Sequence, residues 1–397
     1  MRLLLIVDDY LPHSTKIASK MMHELALEFK RQGHDVSVLT PFSNQNISLV
    51  QKNLDGIEIL YFKSGSIKNI SKIKRAFNET ILGLIAWVFA GKILRNQSFD
   101  GIIYYSPSIF FGKLVGKLKK HWNCNSYLIL RDIFPQWAAD NGLIHRNSPI
   151  YYFFKIFEWI NYNNADKIGV MLPSNQELFS NTKFINKVEV LFNWSEIPEI
   201  HESDGFFRKK LNLEDKIVMF YGGNIGHAQK MMNLVELAHR FIEDSRVHFL
   251  FVGEGDETEL IKKEKVQRNI SNLTLLPSVD QQTYFEMLNE FDIGLFSLHP
   301  DHKTNNFPGK LLGYMGYSKP ILGCVNEGND LKEIINSSKS GFVSDCKESE
   351  NLYNAAKLLV DSAELRREMG ENGRKLLAKK FSVRSTSIQI ENALKKD

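Results

Sequence analysis

The sequence predicts an α/β protein built from two doubly wound, Rossmann-like domains. At 397 residues, the chain is too long for one ordinary hydrophobic core and long enough for two domains of about 150 to 200 residues. Short apolar strands alternate with amphipathic helices in both halves, a pattern typical of parallel sheets. The alternation stops in an acidic, aperiodic segment over 196–204. We therefore expect domains over residues 1–195 and 196–397.

Each half supplies strands and helices in the expected order. The first half predicts strands over 3–7, 35–40, 57–61, 101–105 and 126–130, and helices over 16–32, 73–95 and 110–122. Gly33 lies where a helix C-cap is expected. The second half predicts strands over 217–221, 248–252, 273–276, 293–298 and 320–324, and helices over 232–242, 257–268, 281–290, 311–317, 362–380 and 382–396.

Parallel sheets of this kind bind ligands beyond the carboxyl ends of their strands. We therefore expect the site in a cleft between the carboxyl ends of the two sheets. The sequence has no GxGxxG after the first strand and no GxxxxGK[ST], HExxH or GxSxG. Dehydrogenase, P-loop and hydrolase functions lose most of their support.

Charge is unevenly distributed along the chain. Residues 1–170 contain 21 Lys and Arg against 13 Asp and Glu, whereas the whole chain carries a net charge of +4. A basic first half suits an anionic partner, such as a membrane surface or a pyrophosphate, although an ordinary solvated surface explains it equally well. Nucleic acid is not expected as a partner, because no nucleic-acid-binding motif is present.

The cysteines indicate a reducing, cytoplasmic environment. Cys124, Cys324 and Cys346 show no disulfide or metal-ligand spacing. The apolar run over 3–7 is too short for a signal peptide, so we do not expect export. No Asp-x-Asp triplet offers adjacent carboxylates, so we expect no required metal and no cofactor.

Two segments of the second half have features of a phosphate site. In 219–230, a buried strand enters a glycine-rich turn, where Gly223 and Gly226 let the backbone approach a phosphate. In 304–315, Pro308 and Gly309 precede an apolar helix, which places Lys310 near its N-terminus, where an anion is favoured. A tight turn without a ligand and a surface lysine are the alternatives. Gly253, after the next strand, is a weaker candidate.

The first half offers candidates for a second substrate. Arg131 and Asp132 end an apolar strand, so they are catalytic or acceptor-binding residues or, equally, a structural ion pair. The loop after the first strand contributes four candidate acceptor-binding residues, each of which could instead be a cap or turn residue: Asp9, Tyr10, His13 and Lys16.

Three segments of the first half mix apolar, aromatic and basic residues: 68–95, 110–122 and 151–159. Ten apolar residues over 81–90 cannot span a bilayer, which needs about 20. They can lie in its interface beside basic residues, and the alternative is that they are buried core helices.

In their order, segments 8–12, 21–25, 33–36, 131–135, 223–226 and 307–314 resemble family 4 of the retaining GT-B glycosyltransferases. The similarity extends over essentially the whole chain and is greatest with the L-fucosamine transferases of bacterial O-antigen and capsule assembly. It implies transfer of N-acetyl-L-fucosamine from a UDP donor, held by the second domain, to a sugar on undecaprenyl diphosphate, held by the first. It also implies a C-terminal helix that returns to the first domain, and a peripheral location at the inner face of the membrane.

The resemblance also assigns residues, with departures from the family pattern. Asn224 and Gln229 stand where the family usually carries Arg and Lys, so Lys230 or Lys310 would neutralise the diphosphate. The paired family glutamates fall on Asn305 and Gly313, and Arg131 replaces a catalytic histidine. The implied donor-binding residues are Gly223, Asn224, Gly226, Gln229, Lys230, Gly253, Asn305, Pro308, Gly309 and Lys310. The implied catalytic residues are Arg131, Asp132 and Lys310.

Two other functions stay open at this point. The missing glutamates favour a catalytically silent nucleotide-sugar-binding or membrane scaffold protein. The same fold also serves UDP-sugar epimerases and inverting transferases.

Overall fold

The computed structural model describes residues 1–14, 16–66, 71–140, 142–301 and 307–396. These residues form two compact units. The first comprises Met1–Trp194 with Val383–Asp397, and the second comprises Ser195–Ser382. The division after Trp194 lies beside the expected boundary, but the second unit is shorter than 196–397. The C-terminal helix belongs to the first unit, as the resemblance implied.

The first unit is an α/β layer structure around an eight-stranded sheet. Its strands are β1 (Arg2–Ile6), β2 (Asp35–Phe42), β3 (Leu49–Leu54), β4 (Ile57–Lys63), β5 (Gly101–Ser106), β6 (Asn125–Leu130), β7 (Lys167–Val170) and β8 (Val188–Val190). The spatial order is β3-β4-β2-β1-β5-β6-β7-β8, and every pair is parallel except β3 with β4. The order reverses between β1 and β5, which is the switch point of this sheet.

Helices cover both faces of this sheet. They are α1 (Ile17–Arg31), α2 (Lys72–Thr80), α3 (Leu82–Arg95), α4 (Gly112–Trp122), α5 (Gln136–Asp140), α6 (Pro149–Asn164) and α7 (Pro173–Glu177). One apolar layer contains residues of α3 and α4, and the other contains residues of α1 with Trp194, Ile390 and Leu394. The sheet is therefore buried on both sides, as the doubly wound prediction requires.

The second unit repeats this plan with six parallel strands. They are β9 (Ile217–Gly222), β10 (Val247–Val252), β11 (Leu273–Leu276), β12 (Ile293–Ser297), β13 (Ile321–Val325) and β14 (Gly341–Asp345), in the order β11-β10-β9-β12-β13-β14. Its helices are α8 (Phe206–Leu211), α9 (Met232–Arg240), α10 (Thr258–Gln267), α11 (Gln281–Glu290), α12 (Lys310–Gly316), α13 (Asp330–Ser337), α14 (Ser349–Asp361) and α15 (Ala363–Leu376); α16 (Val383–Leu394) follows in the first unit. The switch point lies between β9 and β12.

Several elements differ from the sequence-based expectation. The helix expected over 73–95 is two helices, α2 and α3, which meet at Ile81. Strand β3 was not predicted because its residues are partly or largely exposed and do not alternate. Gly33 has φ +85° after α1, which confirms the predicted helix cap. No helix in the described ranges combines the length and apolarity needed to cross a bilayer.

Candidate active site

The switch point of the second sheet brings together the segments that follow β9, β10 and β12. Gly222 ends β9, Gly253 follows β10, and Lys310 begins α12 after β12. The carboxyl edge of this sheet therefore holds most of the residues that the sequence proposed for a donor.

The ammonium of Lys310 lies over the ring of Tyr221. Its Nζ is 3.4 Å from the ring centroid, and a Cβ built on Gly223 would lie 3.5 Å from the same nitrogen. No carboxylate of the described ranges forms an ion pair with Lys310, and burial lowers its pKa well below the ordinary lysine value. A half-buried cation with an aromatic ring beneath it and a glycine backbone beside it can bind an anion.

Gly223 and Gly253 allow two backbone segments to approach closely. Gly223 has φ +120°, and a Cβ on Gly253 would lie 1.8 Å from the Gly223 carbonyl oxygen. The Gly223 amide donates to the Val252 carbonyl at 2.9 Å. The Gly223 amide therefore extends the strand ladder instead of pointing toward a phosphate.

The turn over 224–230 is held by its own side chains and by the next loop. The Asn224 side-chain amide donates to Gln229 Oε1 at 2.9 Å, so these two uncharged residues pair with each other. The His227 amide donates to Asp256 at 3.1 Å. Lys230 has φ +42° in the left-handed region. Gly226, near the start of this turn, is buried, so the backbone at this residue packs against the rest of the second unit.

The segment before α12 is described only in part. Asn305 lies outside the described residues. Pro308 is partly buried, and Gly309 is exposed, with no atom of the described residues within 4 Å of the position that a methyl group would occupy. A Cβ on Gly313 would contact Leu288 of α11 at 3.3 Å. The position of the second family glutamate therefore packs against a neighbouring helix.

In the first unit, Arg131 is bound to the protein backbone. Its guanidinium donates to the carbonyls of Gly169 at 3.4 Å and Phe192 at 3.2 Å, and it lies 5.5 Å from the Trp194 ring centroid. Burial lowers the pKa of Arg131 to about 10, against the opposing influence of nearby phenol and carboxyl groups. These contacts tie β6 to β7 and to the segment after β8, which gives Arg131 a structural role.

Acidic and phenolic groups gather at the carboxyl edge of the first sheet. Partial burial raises the pKa of Asp132, and the Arg131 charge opposes this rise. Burial raises the pKa of Tyr105 to about 12, with further influence from Arg131, Asp8 and Asp132. The structure thus brings the ends of β1, β5 and β6 together, as adjacent strands at a switch point require.

The four residues proposed for the acceptor have different environments. Lys16 Nζ lies 3.2 Å from Asp9 and 3.7 Å from Asp8. Tyr10 is buried, and its hydroxyl lies 2.9 Å from His23 Nδ1. Tyr10 is therefore a core residue, contrary to its proposed contact with a substrate. His13 is exposed and stacks on Phe42, with 4.3 Å between ring centroids.

Sequence reasoning missed Ser106 and Ser108 at the end of β5. Their hydroxyls are buried and have no hydrogen-bond partner within the described residues. They lie at the same edge as Asp132 and could bind sugar hydroxyls. The only sequence signal was that two serines flank a proline directly after a predicted strand.

Two cysteines that are distant in the sequence are close in space. The Sγ atoms of Cys324 and Cys346 are 2.6 Å apart. All three cysteines are free thiols, and their spacing in the sequence did not indicate that two of them would lie side by side. No cluster of three metal-binding side chains occurs within the described ranges.

Comparison with known proteins decides the class. Residues 203–376 match the family model described as glycosyl transferases group 1, and the matched segment contains all the donor candidates. The protein is a glycosyltransferase of the GT-B fold.

Two relatives support this assignment. The enzyme is 26% identical over 297 residues to the putative colanic acid biosynthesis glycosyl transferase WcaI of Escherichia coli K12, which covers 70% of this chain and 72% of WcaI. It is 23% identical over 221 residues to the probable glycosyltransferase WbjE of Pseudomonas aeruginosa. That match spans about half of each protein, 54% in both cases.

A solved structure shares the fold of the glycosyltransferase over its full length. Anabaena Alr3699/HepE, in a complex with UDP and glucose, superposes with a TM-score of 0.65 at 12% identity, covering 99% of this chain and 98% of HepE. At this identity the likeness establishes the fold alone.

Proposed function

We propose that the enzyme is a retaining transferase that moves N-acetyl-L-fucosamine from a UDP donor to an undecaprenyl-diphosphate-linked sugar in O-antigen or capsular polysaccharide synthesis. The observation that carries the donor half is the Lys310 ammonium over Tyr221, beside Gly223 and without a carboxylate partner in the described ranges. A diphosphate would supply the negatively charged partner for this ammonium group. The UDP and glucose bound to the HepE relative support the same donor class.

The proposed reaction needs a stabilised leaving group rather than a protein nucleophile. The bond between the anomeric carbon and the diphosphate breaks, and the acceptor hydroxyl attacks from the same face of the sugar. The proton of that hydroxyl passes to the departing diphosphate. Lys310 would neutralise charge that develops on the diphosphate, and we propose that no metal ion is required. The WcaI relative, named for colanic acid biosynthesis, supports a polysaccharide product.

Calorimetric titration with UDP tests the role of Lys310. Loss of a charge-assisted hydrogen bond predicts that Lys310→Ala lowers affinity by about ten- to a hundredfold. Lys262→Ala is the matched control, because Lys262 lies on exposed α10 and pairs with Glu259. Equal UDP affinity in the Lys310→Ala variant and the wild type would contradict the assignment.

Product analysis tests the donor and the acceptor. The wild-type protein is incubated with a panel of UDP-sugars and synthetic polyprenyl-diphosphate N-acetylhexosamines, and lipid-linked disaccharide is detected by mass spectrometry. Product from UDP-N-acetyl-L-fucosamine alone is expected. Product from another UDP-sugar would remove the fucosamine assignment, and an isomerised UDP-sugar formed without acceptor would favour an epimerase.

We further propose that the first unit binds the cytoplasmic membrane surface through helices α3, α4 and α6. Helix α4 packs against both α3 and α6, so these helices of the three predicted segments form one layer. Residues 68–70 of the first segment lie outside the described residues. Leu82, Ala86 and Leu94 of α3 are buried in the core. On the same helix Leu84 and Val88 are 61% and 63% exposed. One face of α3 is therefore part of the core, and the opposite, exposed face is the one that we propose for the membrane interface.

The same layer presents aromatic and basic side chains together. Tyr152, Ile156 and Trp159 of α6 are about half exposed. Lys183 Nζ lies 4.6 Å from the Trp159 ring centroid, and Lys117 Nζ lies 4.8 Å from that of Trp87. Lysines beside aromatic rings suit anionic headgroups and the interfacial region of a bilayer.

Vesicle co-sedimentation tests the membrane surface. The wild type should bind vesicles that contain phosphatidylglycerol more strongly than vesicles of pure phosphatidylcholine. Added salt should reduce this difference in binding. The double variant Val88→Glu with Ile156→Glu should lose this binding. Val266→Glu, at a 75% exposed apolar position of the second unit, should keep it. Unchanged binding of the double variant would overturn the proposal.

A further inference from the structure

A pair of thiols lies at the carboxyl edge of the second sheet, apart from Lys310. Cys324 is in β13, and Cys346 directly follows β14, its parallel neighbour. The Cys346 amide donates to the Val325 carbonyl at 2.9 Å, which fixes the second cysteine beside the first. The two sulfurs are 2.6 Å apart, close to the bonded distance of about 2.05 Å in a disulfide.

The surroundings favour reaction of this pair. The side-chain amide of Asn233 donates to Cys324 Sγ at 3.3 Å. The Cys346 thiol lies within reach of both the Leu298 carbonyl, at 2.9 Å, and Cys324 Sγ. The hydrogen bond from Cys346 lowers the pKa of Cys324, and burial opposes this. Because the thiolate is the reactive form of cysteine, a lowered pKa increases reactivity.

Small molecules can reach the sulfurs through a cavity of about 250 Å³. The cavity lies between α9 and α14, and both cysteines line it together with Met232, Leu237 and Leu352. A water molecule has a liquid volume of about 30 Å³, so hydrogen peroxide fits easily. Cys324 is buried and Cys346 is partly exposed, so a small oxidant can reach the pair from the Cys346 side.

We propose that Cys324 and Cys346 form a reversible disulfide on exposure to a peroxide, and that this disulfide weakens binding of the nucleotide donor. The second part rests on the proposed function. One thiolate attacks a peroxide oxygen, which gives a sulfenic acid and, after protonation, water. The second thiol then attacks the sulfenic sulfur, the S–S bond forms, and a second water leaves. Two electrons pass from sulfur to peroxide, and a dithiol reductant reverses the change.

The disulfide can affect the turn over 224–230, which contains proposed donor-binding residues, through the segment after β12. The Cys346 sulfur lies 2.9 Å from the buried Leu298 carbonyl, and oxidation leaves neither sulfur with a proton that could be donated to it. Because a buried acceptor without a donor is costly, this segment should shift. The next residue, His299, donates from its amide to Ala228 at 2.9 Å, and its ring lies 4.6 Å from that of His227. Both partners belong to the turn over 224–230.

The experiment treats the intact protein with hydrogen peroxide, alkylates the remaining free thiols in denaturant, and maps peptides by mass spectrometry before and after a dithiol reductant. We expect a linked peptide pair containing Cys324 and Cys346, with Cys124 alkylated. UDP affinity measured in parallel should fall by about fivefold or more and return on reduction. In Cys346→Ser, peroxide should not change UDP affinity, whereas Cys124→Ser, altered in the first unit, should behave like the wild type.

If Cys324 and Cys346 are each alkylated after peroxide treatment, the proposed disulfide does not form. This measurement needs no variant. A linked pair with unchanged UDP affinity would overturn the control of donor binding. If the reduced protein fails to bind UDP, the proposed function fails instead, and the peptide map still decides whether the pair forms.

Discussion

At the scale of single residues, Lys310 links the fold to the chemistry. Its half-buried ammonium lies over the Tyr221 ring, so the charged form is disfavoured until an anion binds. Burial lowers its pKa well below the ordinary lysine value. The side chain therefore loses its proton at a lower pH than an exposed lysine does. A bound diphosphate favours the protonated form.

This pKa shift predicts a pH dependence of donor binding. UDP affinity should fall as pH rises through the lowered pKa of Lys310, because the neutral amine no longer attracts the diphosphate. Lys310→Arg keeps its charge at these pH values, so its UDP affinity should stay nearly constant over the same range. Calorimetry at a series of pH values checks both curves, and parallel curves for the two proteins would contradict the explanation.

Gly253 supports the same site through close backbone packing. Gly253→Ala would place a methyl group 1.8 Å from the Gly223 carbonyl oxygen, so β9 and β10 would have to separate. We expect a loss of about 1 to 3 kcal/mol in the free energy of unfolding, measured by chemical denaturation. The stability control is Gly309→Ala, because no atom of the described part of the chain lies within 4 Å of its added methyl group. Equal losses in the two variants would rule out the packing explanation.

Residue roles were only partly predictable from the sequence. Lys310 and Gly223 could be proposed because a lysine and a glycine next to a strand end suggest an anion site. Arg131 and Tyr10 could not be judged in this way. Their polar atoms bind Phe192 and His23, which are distant in sequence.

At the scale of elements, α16 is the clearest case of a segment placed by tertiary packing. It follows the second unit in sequence but packs with α1 and β6. Ile390 and Leu394 are buried in the first core, and Gln389 donates to the Val190 carbonyl at 2.9 Å. The helix therefore contributes to the stability of the first unit.

A matched pair of substitutions on α16 tests this contribution. Ile390→Ala should destabilise the protein by about 2 to 5 kcal/mol, because it leaves a cavity in the first core. Ile388→Ala, two residues earlier and 43% exposed, should cost far less. Hydrogen exchange should show the loss of protection in β1 and β5 for Ile390→Ala alone, and faster exchange confined to the second unit would contradict the placement.

At the scale of the whole molecule, the two units have separate cores, and the proposed donor residues lie in one of them. Ligand that binds only the folded state stabilises it by about 2.7 kcal/mol at a hundred times its Kd. We expect saturating UDP to slow hydrogen exchange in β9, β10 and α12, with no comparable effect on β3 and β4. Equal protection of both units, or protection of the first alone, would place the nucleotide elsewhere.

The sequence by itself determined the two-unit α/β plan and the general location of the donor candidates. Strand and helix periods are local properties, and the carboxyl ends of parallel strands follow from strand order along the chain. Tertiary structure alone decided that α2 and α3 are separate, that β3 adds an antiparallel edge, and that α16 joins the first core. It also brought Cys324 beside Cys346 and placed Lys310 over Tyr221, because such contacts depend on packing between segments that are distant along the chain.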